Sequence, residues 1–448
     1  MAVAKLFIMK KKTSNQFKNP PKFMNKAVFL DRDGVINEEA GYITSAEQLK
    51  IIDSVPEAIQ ILNEEGFKVI VVTNQPQVAR GLCSEEDIKN LHERLSDKLM
   101  ATGAKIDAFY FCPHHPEKDH PDIPGEALRY RIHCSCRKPE TFLFKKAAED
   151  FDIDLKNSFL IGDRSVDVKA GENIGCKTFL VKTGSGGSDF KYEVKPDFIV
   201  DDLMKAAKLI RKINSLTTVI LAGGKGERLR PLTNDMPKPM MLINKKPLLE
   251  HLVELNRSCG INRIIISGHY LFDKIKDYFG DGNRWGVQIE YIDDGEKPLG
   301  SGGALKKVES FLPENFIVMS GDVITNFNLW ELIKLHFNEN GLAAIVVRET
   351  DHPEDSDLIQ IDDKNRAFNF FMKHEVNKVG NVAHVGLFIF QKNIFDFVPQ
   401  SGNLEHDVLQ PAIKNSNVFC YLNKNYYIKD IGTPERYASA EEFFSDSI

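Results

Sequence analysis

Lys26-Ala27-Val28-Phe29-Leu30-Asp31-Arg32-Asp33-Gly34-Val35-Ile36-Asn37 is the stretch on which the fold turns. Ala27–Leu30 is a short apolar run and reads as a strand that ends in Asp31. Gly34 lets the chain turn away sharply behind it. Outward from there the pattern repeats. Residues 55–65 read as a helix with Gly66 as its C-terminal cap. Lys68–Val72 is a second apolar run and ends in Thr73. Residues 84–101 read as a charged amphipathic helix that starts at Ser84, with Glu85, Glu86 and Asp87 in its first turn. Ala108–Phe111 is a third strand, 140–151 a helix, Ser158–Ile161 a fourth strand ending in Gly162-Asp163, and Lys177–Val181 a fifth. Apolar strands alternating with helices predict a parallel, doubly wound sheet. Ligands of such sheets bind outside the carboxyl ends of the strands, where Asp31, Thr73 and Asp163 stand.

A second unit starts near Leu216. Thr218–Leu221 reads as a strand that opens into Ala222-Gly223-Gly224-Lys225-Gly226. Arg263–Ser267, Val287–Tyr291, Phe316–Ser320, Ala343–Val347 and Gly386–Phe390 are further strands with helices between. A helix at about 202–213 precedes the boundary, placed at 211–217. Residues 1–25 carry six lysines and no acid, and read as a flexible basic extension. The expected fold is α/β with two doubly wound domains, 26–213 and 217–448. The halves share a rhythm but no repeated motif, so they do not read as a duplication.

Composition agrees. At roughly 150 residues per domain, 448 residues suggest about three domains, which the motifs below reduce to two. A hydrophobic fraction of 42% and a charged fraction of 27% exclude a largely disordered chain. The net charge of −6 excludes a global basic field for a nucleic-acid backbone and leaves a local basic pocket open. No apolar window approaches a membrane span. MAVAKLFIMKKK places its apolar residues before its basic cluster, the reverse of a secretory signal. Seven scattered cysteines, an odd number, argue for a reducing compartment. A cytoplasmic protein with small-molecule partners, no nucleic acid and no membrane is expected; a homo-oligomer is left open.

In the first half, Asp31 can attack phosphorus as a nucleophile, while Asp33 can protonate the leaving alkoxide and later activate water. Thr73-Asn74 can donate hydrogen bonds to a phosphoryl oxygen, and Arg137-Lys138 supply positive charge. Asp163, with Asp167 beyond Arg164, offers carboxylates to a hard cation such as Mg²⁺. Cys112 and His114, followed by Cys134 and Cys136, offer four soft ligands, which suits a closed structural zinc site. His115, His120 and His133 read as bystanders. The Thr183–Ser188 Gly/Ser run reads as a loop.

The order nucleophile, Thr, Lys, acidic pair resembles the haloacid-dehalogenase phosphatase superfamily over about 26–200. The zinc loop before Arg137-Lys138-Pro139 resembles its heptose-1,7-bisphosphate 7-phosphatase family and the related histidinol phosphatases. The resemblance implies Asp31 as nucleophile, Asp33 as general acid/base, and Asp31, Asp33 and Asp163 as Mg²⁺ ligands. It places phosphate on Thr73, Arg137 and Lys138, and assigns Glu39, Tyr42, Asn74, Gln75 and Arg164 to the substrate side. Pro76 and the long stretch between His114 and Cys134 depart from the family pattern.

In the second half, Leu221-Ala222-Gly223-Gly224-Lys225-Gly226-Glu227-Arg228-Leu229-Arg230-Pro231-Leu232-Thr233 is followed by Pro237-Lys238-Pro239. Glycines let backbone N–H groups approach a triphosphate, and Arg228 and Lys238 offset its charge. The run resembles the family that joins a sugar 1-phosphate to a nucleoside triphosphate, a Rossmann-like fold, from about 217 onward. The resemblance implies nucleotide contacts from Leu221, Ala222, Gly223, Gly224, Gly226, Gly302 and Gly303, and Mg²⁺ on Asp322 and Asp430. Lys373 is implied at the sugar phosphate. Met372 and His384 stand where relatives carry Glu and Asn, so sugar recognition is expected to differ. His269 and Tyr270 are candidates to line that pocket, and Trp285 and Trp330 read as packing residues.

Together the halves constrain each other, because the product of the first is a sugar 1-phosphate and that is the substrate of the second. The expectation is a bifunctional enzyme of nucleotide-activated heptose synthesis, with guanosine triphosphate the favoured donor, Mg²⁺ in both domains and structural Zn²⁺ in the first. The alternatives are a histidinol-phosphatase-like hydrolase joined to a mannose- or other hexose-1-phosphate transferase, and a chain with one silent regulatory half.

Overall fold

A computed structural model describes residues 25–116, 125–297, 299–350, 353–375, 379–380 and 382–445. The basic extension over 1–24 and His120 lie outside the described residues. The chain begins β1 (Ala27–Leu30), α1 (Val55–Glu64), β2 (Lys68–Asn74), α2 (Glu85–Met100), β3 (Ala108–Cys112), α3 (Phe142–Phe151), β4 (Phe159–Gly162), α4 (Ser165–Ile174), β5 (Lys177–Val181), β6 (Phe198–Val200) and α5 (Leu203–Asn214). These strands form one six-stranded sheet in the order β3-β2-β1-β4-β5-β6, parallel throughout. The chain leaves β1 toward β2 on one side and returns to β4 on the other. That places the topological switch point between β1 and β4, where Asp31 and Asp163 emerge.

Local chemistry accounts for the elements. α2 starts in a full capping box, with Ser84 Oγ accepting from the Asp87 N–H at 3.1 Å and the Asp87 carboxylate accepting from the Ser84 N–H at 2.8 Å. β1 is buried along its whole length, as expected of a central parallel strand. α4 and β6 are absent from the sequence reading. α4 is weakly amphipathic and carries Gly171 in its interior, which costs helix propensity. A Cβ there would lie 2.3 Å from Thr178 Cγ2, so the glycine permits α4 to press onto β5.

The second unit continues with β7 (Thr217–Leu221), β8 (Leu242–Ile243), β9 (Lys246–Pro247), α6 (Leu248–Ser258), β10 (Arg263–Gly268), α7 (Phe272–Phe279), β11 (Gln288–Asp293), α8 (Gly300–Val308), β12 (Asn315–Ser320), β13 (Val323–Thr325), α9 (Leu329–Glu339) and β14 (Ala343–Glu349). It ends with β15 (Leu358–Ile361), β16 (Ala367–Phe371), β17 (Val382–Gln391), a π-helix over Leu404–Leu409, α10 (Gln410–Asn415), β18 (Val418–Leu422), β19 (Ile428–Asp430) and α11 (Pro434–Ser445). Its seven-stranded sheet has the order β11-β10-β7-β12-β17-β14-β18. The sheet is mixed: β17 runs antiparallel to both β12 and β14. Apolar runs reveal a strand but not its direction, so the alternation did not show this reversal. The switch point lies between β7 and β12, above which sit the glycine loop and Asp322. The two units meet at Trp330 of α9. Its Nε1 donates to Asp197 Oδ1 at 3.0 Å and its ring stands edge-on to Phe198.

Candidate active sites

At the carboxyl edge of the first sheet, Asp31 is nearly buried and its Oδ1 lies 2.9 Å from Lys138 Nζ. Lys138 also reaches Asp167 Oδ1 at 2.7 Å and donates to the Val72 carbonyl at 2.8 Å. Burial works against the Lys138 charge, but Asp167 and Asp31 outweigh it and hold the ammonium above its usual range. The Asn74 side chain fixes this lysine from behind, accepting from its N–H at 2.9 Å. Carboxylate oxygens of Asp31, Asp163 and Asp167 all lie within 4.8 Å of one another. Burial first, then Asp31 and Asp167, push Asp163 up to about 7. Its Oδ1 is buried and has no hydrogen-bond partner among the described residues. Hard oxygen donors with an orphaned carboxylate oxygen fit a Mg²⁺ ion.

The Asp33 carboxylate is placed elsewhere. It takes two hydrogen bonds from Arg32 Nη2, at 2.8 and 2.9 Å, and one each from Asn37 and Gln75 at 3.0 Å. Burial pushes its pKa up, yet Arg32 and these donors hold it below the usual carboxylate range. Gln75 is fully buried and bonds Thr73 Oγ1 at 2.9 Å as well as Asp33, so it links those two side chains and does not face the cavity. Thr73, Asn74, Arg137, Lys138, Glu39, Tyr42 and Arg164 do line the cavity, which measures about 370 Å³. Glu39 and Arg164 pair across it at 3.1 Å. The run over 183–188 is a loop, as expected, and it closes on Asp163. Ser185 N–H donates to Asp163 Oδ2 at 2.6 Å and Gly187 N–H to the Asp163 carbonyl at 2.7 Å. A Cβ on Gly34, whose φ is +77°, would sit 2.5 Å from the same Oδ2.

Cys112, His114, Cys134 and Cys136 converge with one ligand atom each, all within 4.8 Å. Cys136 Sγ lies 3.2 Å from both Cys112 Sγ and His114 Nδ1, and 3.3 Å from Cys134 Sγ. These separations are too long for a disulfide and short enough for one ion to span all four atoms, and three thiols with a histidine Nδ1 are a donor set that fits zinc. Cys136 is followed directly by Arg137 and Lys138. Zinc removal by a chelator in excess Mg²⁺, or Cys136→Ser, is therefore expected to lower phosphatase turnover by about 10–100-fold. Nucleotidyl transfer should be retained; phosphate release and bound zinc measured on the same sample check this.

In the second unit a cavity of about 760 Å³ opens at the carboxyl edge of β7, β10 and β12. Leu221, Ala222, Gly223, Gly224, Gly226, Arg228, Lys238 and Asp322 line it, with His269 and Tyr270. A Cβ on Gly223 would meet Asp294 Oδ2 at 2.9 Å. Lys238 Nζ bonds Asp322 Oδ2 at 2.6 Å. β13 pairs Val323 with Asp430 of β19, so the ladder sets Asp322 beside Asp430. Both carboxylate oxygens of Asp430 accept from Arg436 Nη1, at 2.8 and 2.7 Å. Two adjoining carboxylates that already attract cationic side chains suit Mg²⁺ in kind. Gly302 and Gly303 lie inside α8 and do not line the cavity. A Cβ on either would approach a carbonyl of the 400–402 loop, at 3.1 and 2.7 Å; the glycines serve close packing. Lys373 stands on the loop after β16, also outside the lining, with its N–H bonded to Asp357 Oδ1 at 2.7 Å.

A nucleotidyl transferase family model matches residues 217–447 and a HAD-hydrolase-like model matches 135–206. A D-glycero-D-manno-heptose-1,7-bisphosphate 7-phosphatase of Chlorobaculum tepidum is 36% identical over 189 residues, 40% of this chain and 92% of its own. The chain belongs to both families. Another relative, a UTP–glucose-1-phosphate uridylyltransferase of Synechocystis, is 33% identical over half of this chain, which spans 62% of that protein's length. A crystal structure of HddC from Yersinia pseudotuberculosis complexed with GMP-PN is 31% identical, covering 51% of this chain and 99% of its own, with a TM-score of 0.44.

The chain is thus a fusion of a phosphatase and a nucleotidylyltransferase, a hydrolase and a transferase in one polypeptide. Several residues of the phosphatase cavity, Gln77, Asp189 and Lys191 among them, were not anticipated from sequence. In the transferase, Asp294, Ser301 and Glu405 were missed. Ser301 lies in the glycine run Gly300–Gly303, of which only Gly302 and Gly303 were expected at the nucleotide; Asp294 and Glu405 belong to no motif, and only the fold brings them to the cavity. Among the described residues no helix is long and apolar enough to cross a membrane.

Proposed function

We propose that the first domain, 26–213, removes the 7-phosphate of D-glycero-D-manno-heptose 1,7-bisphosphate. The second, 217–448, then joins the heptose 1-phosphate to GMP from GTP, giving GDP-heptose and pyrophosphate. The observation that carries this reading is the presence in one chain of the Asp31 cavity and the Asp322 cavity, the product of one being the acceptor of the other. Relatives of the first half are named for the heptose bisphosphate. The guanine donor rests on the sequence resemblance of the second half.

Asp31 attacks the 7-phosphorus and forms an aspartyl phosphate as the sugar alkoxide leaves. Lys138, buried and held charged, offsets the charge on the phosphoryl oxygens. Thr73 and Arg137 at the cavity wall hold the same group. Asp33 gives its proton to the alkoxide and takes one from the water that opens the acyl phosphate. A phosphate anion entering beside Asp33 raises its carboxyl from the low range in which Arg32 holds it, which favours the acid form. Asp31 and Asp163, with Asp167 beside them, would hold Mg²⁺, which supplies further positive charge at the phosphate. In the second domain the glycine loop and Arg228 and Lys238 hold the triphosphate, and Asp322 and Asp430 would hold Mg²⁺. The sugar phosphate attacks the α-phosphorus in line and pyrophosphate leaves. The protein's contribution is positioning and charge compensation.

Heptose 1,7-bisphosphate of each anomer, incubated with each of the four nucleoside triphosphates, tests the whole reading. GDP-heptose with release of phosphate and pyrophosphate is the expected outcome. A different nucleotide sugar would correct the donor, and no nucleotide sugar with any donor would sink the proposal.

A further inference from the structure

We infer that Glu405 binds hydroxyl groups of the sugar 1-phosphate in the transferase cavity, supplying the carboxylate that Met372 cannot. The inference rests on the proposed transferase reading and deepens it. Met372 precedes Lys373 but packs against the hydrophobic core around β14 and β17, and its N–H is tied to Glu375 at 2.8 Å. In place of an acid at that position, the cavity takes one from the adjoining π-helix, whose Leu404 and Glu405 line it. Short π segments inside helices are frequent where a side chain must be aimed at a site.

Sheet order separates the two ends of the cavity. Asp294–Glu296 beyond β11 and His269-Tyr270 beyond β10 lie at one end, and the glycine loop after β7 lies in the middle. Ser320–Asp322 after β12 lies on the far side, next to β17, where a Cβ on Gly386 would meet Ser320 Oγ at 2.5 Å. Phosphates held over β7 and β12 therefore leave the β10–β11 end to the nucleoside and the β12–β17 end to the acceptor. Glu405 belongs to the acceptor end. Its field is one of those that act on His384 of β17, and that histidine's Nδ1 is buried without a hydrogen-bond partner among the described residues.

The carboxylate is also prepared for a ligand. Ser301 Oγ accepts from the Leu404 N–H at 2.8 Å and donates to Glu405 Oε2 at 3.4 Å, which sets the side chain against α8. Among the described residues Ser301 is its hydrogen-bond partner, and Oε1 is left for a hydroxyl. Next to it, His406 Nε2 lies 3.3 Å from Asp357 Oδ2, while Asp357 Oδ1 accepts from the Lys373 N–H. The π-helix thus carries Glu405 into the cavity and, one residue later, anchors the loop that bears Lys373.

The test is Glu405→Gln, which keeps shape and removes charge, assayed in the full chain. The KM for the sugar 1-phosphate is expected to rise about 10–100-fold, with the KM for the nucleoside triphosphate and the phosphatase rate unchanged. A series of monodeoxy sugar 1-phosphates adds a second readout: one missing hydroxyl should penalise the parent chain and not Glu405→Gln. An unchanged sugar KM, or a rise confined to the triphosphate KM, would overturn the inference. A normal phosphatase rate and triphosphate KM report that the variant is folded. If the parent chain uses a sugar 1-phosphate other than heptose, the substrate reading fails alone, and the same comparison on that sugar still decides Glu405.

Discussion

Asp31→Asn is expected to lower phosphate release from the heptose bisphosphate by about 10⁴-fold or more, because an amide cannot form the proposed acyl phosphate. The change is nearly isosteric, and Lys138 keeps Asp167 at 2.7 Å and the Val72 carbonyl at 2.8 Å, so its ammonium stays paired. The fold should persist. Nucleotidyl transfer to heptose 1-phosphate supplied directly should match the parent chain, since the second cavity shares no lining residue with the first. The one-pot reaction from bisphosphate should then stop, and added heptose 1-phosphate should restore it. Retained phosphate release would remove Asp31 from the nucleophile's place. Parallel loss of both activities would point to a shared structural defect.

How much of this was readable in advance divides by physical cause. Strand ends were readable, because a buried parallel strand is a continuous apolar run and the first polar residue after it marks the ligand edge. That is why Asp31, Asp163 and the loop after Leu221 fall at the two switch points. The cluster of Cys112, His114, Cys134 and Cys136 was readable from residue type and spacing, and the four side chains do converge. Direction was not: β17 has the apolar run of a parallel strand but lies antiparallel to its neighbours. Side-chain aim was not readable either. Gln75 follows Thr73-Asn74, yet its amide turns inward to join Asp33 and Thr73. Gly302 and Gly303 resemble a nucleotide segment, yet their missing side chains make room for the 400–402 loop. A motif specifies residue types, and packing between segments distant in sequence decides what each side chain touches. Glu405 came to the cavity by such packing and had no motif to announce it.

Lys138→Met should separate stability from catalysis in the first domain. The lysine is buried and its ammonium lies within 3 Å of carboxylate oxygens of both Asp31 and Asp167. Removing it strands two carboxylates in a poorly solvated site, which costs about 3–5 kcal/mol when a buried pair loses one partner. Spread over a domain of this size, that corresponds to a fall of roughly 10 °C in the melting temperature of the first domain. Phosphate release should fall at least about 10²-fold, because the positive charge facing the phosphoryl oxygens is gone. Arginine is not a substitute, since its planar fork does not fit a slot shaped for one ammonium between two carboxylates and a carbonyl. The second variant that makes this decisive is Lys138→Met combined with Asp167→Asn. Neutralising Asp167 removes much of the stranded charge, so melting temperature should recover in large part while phosphate release stays low. If the double variant regained activity along with stability, Lys138 would act only as a structural counter-ion. If neither variant shifted the melting temperature, the buried pairing with Asp31 and Asp167 would not contribute to the folded state.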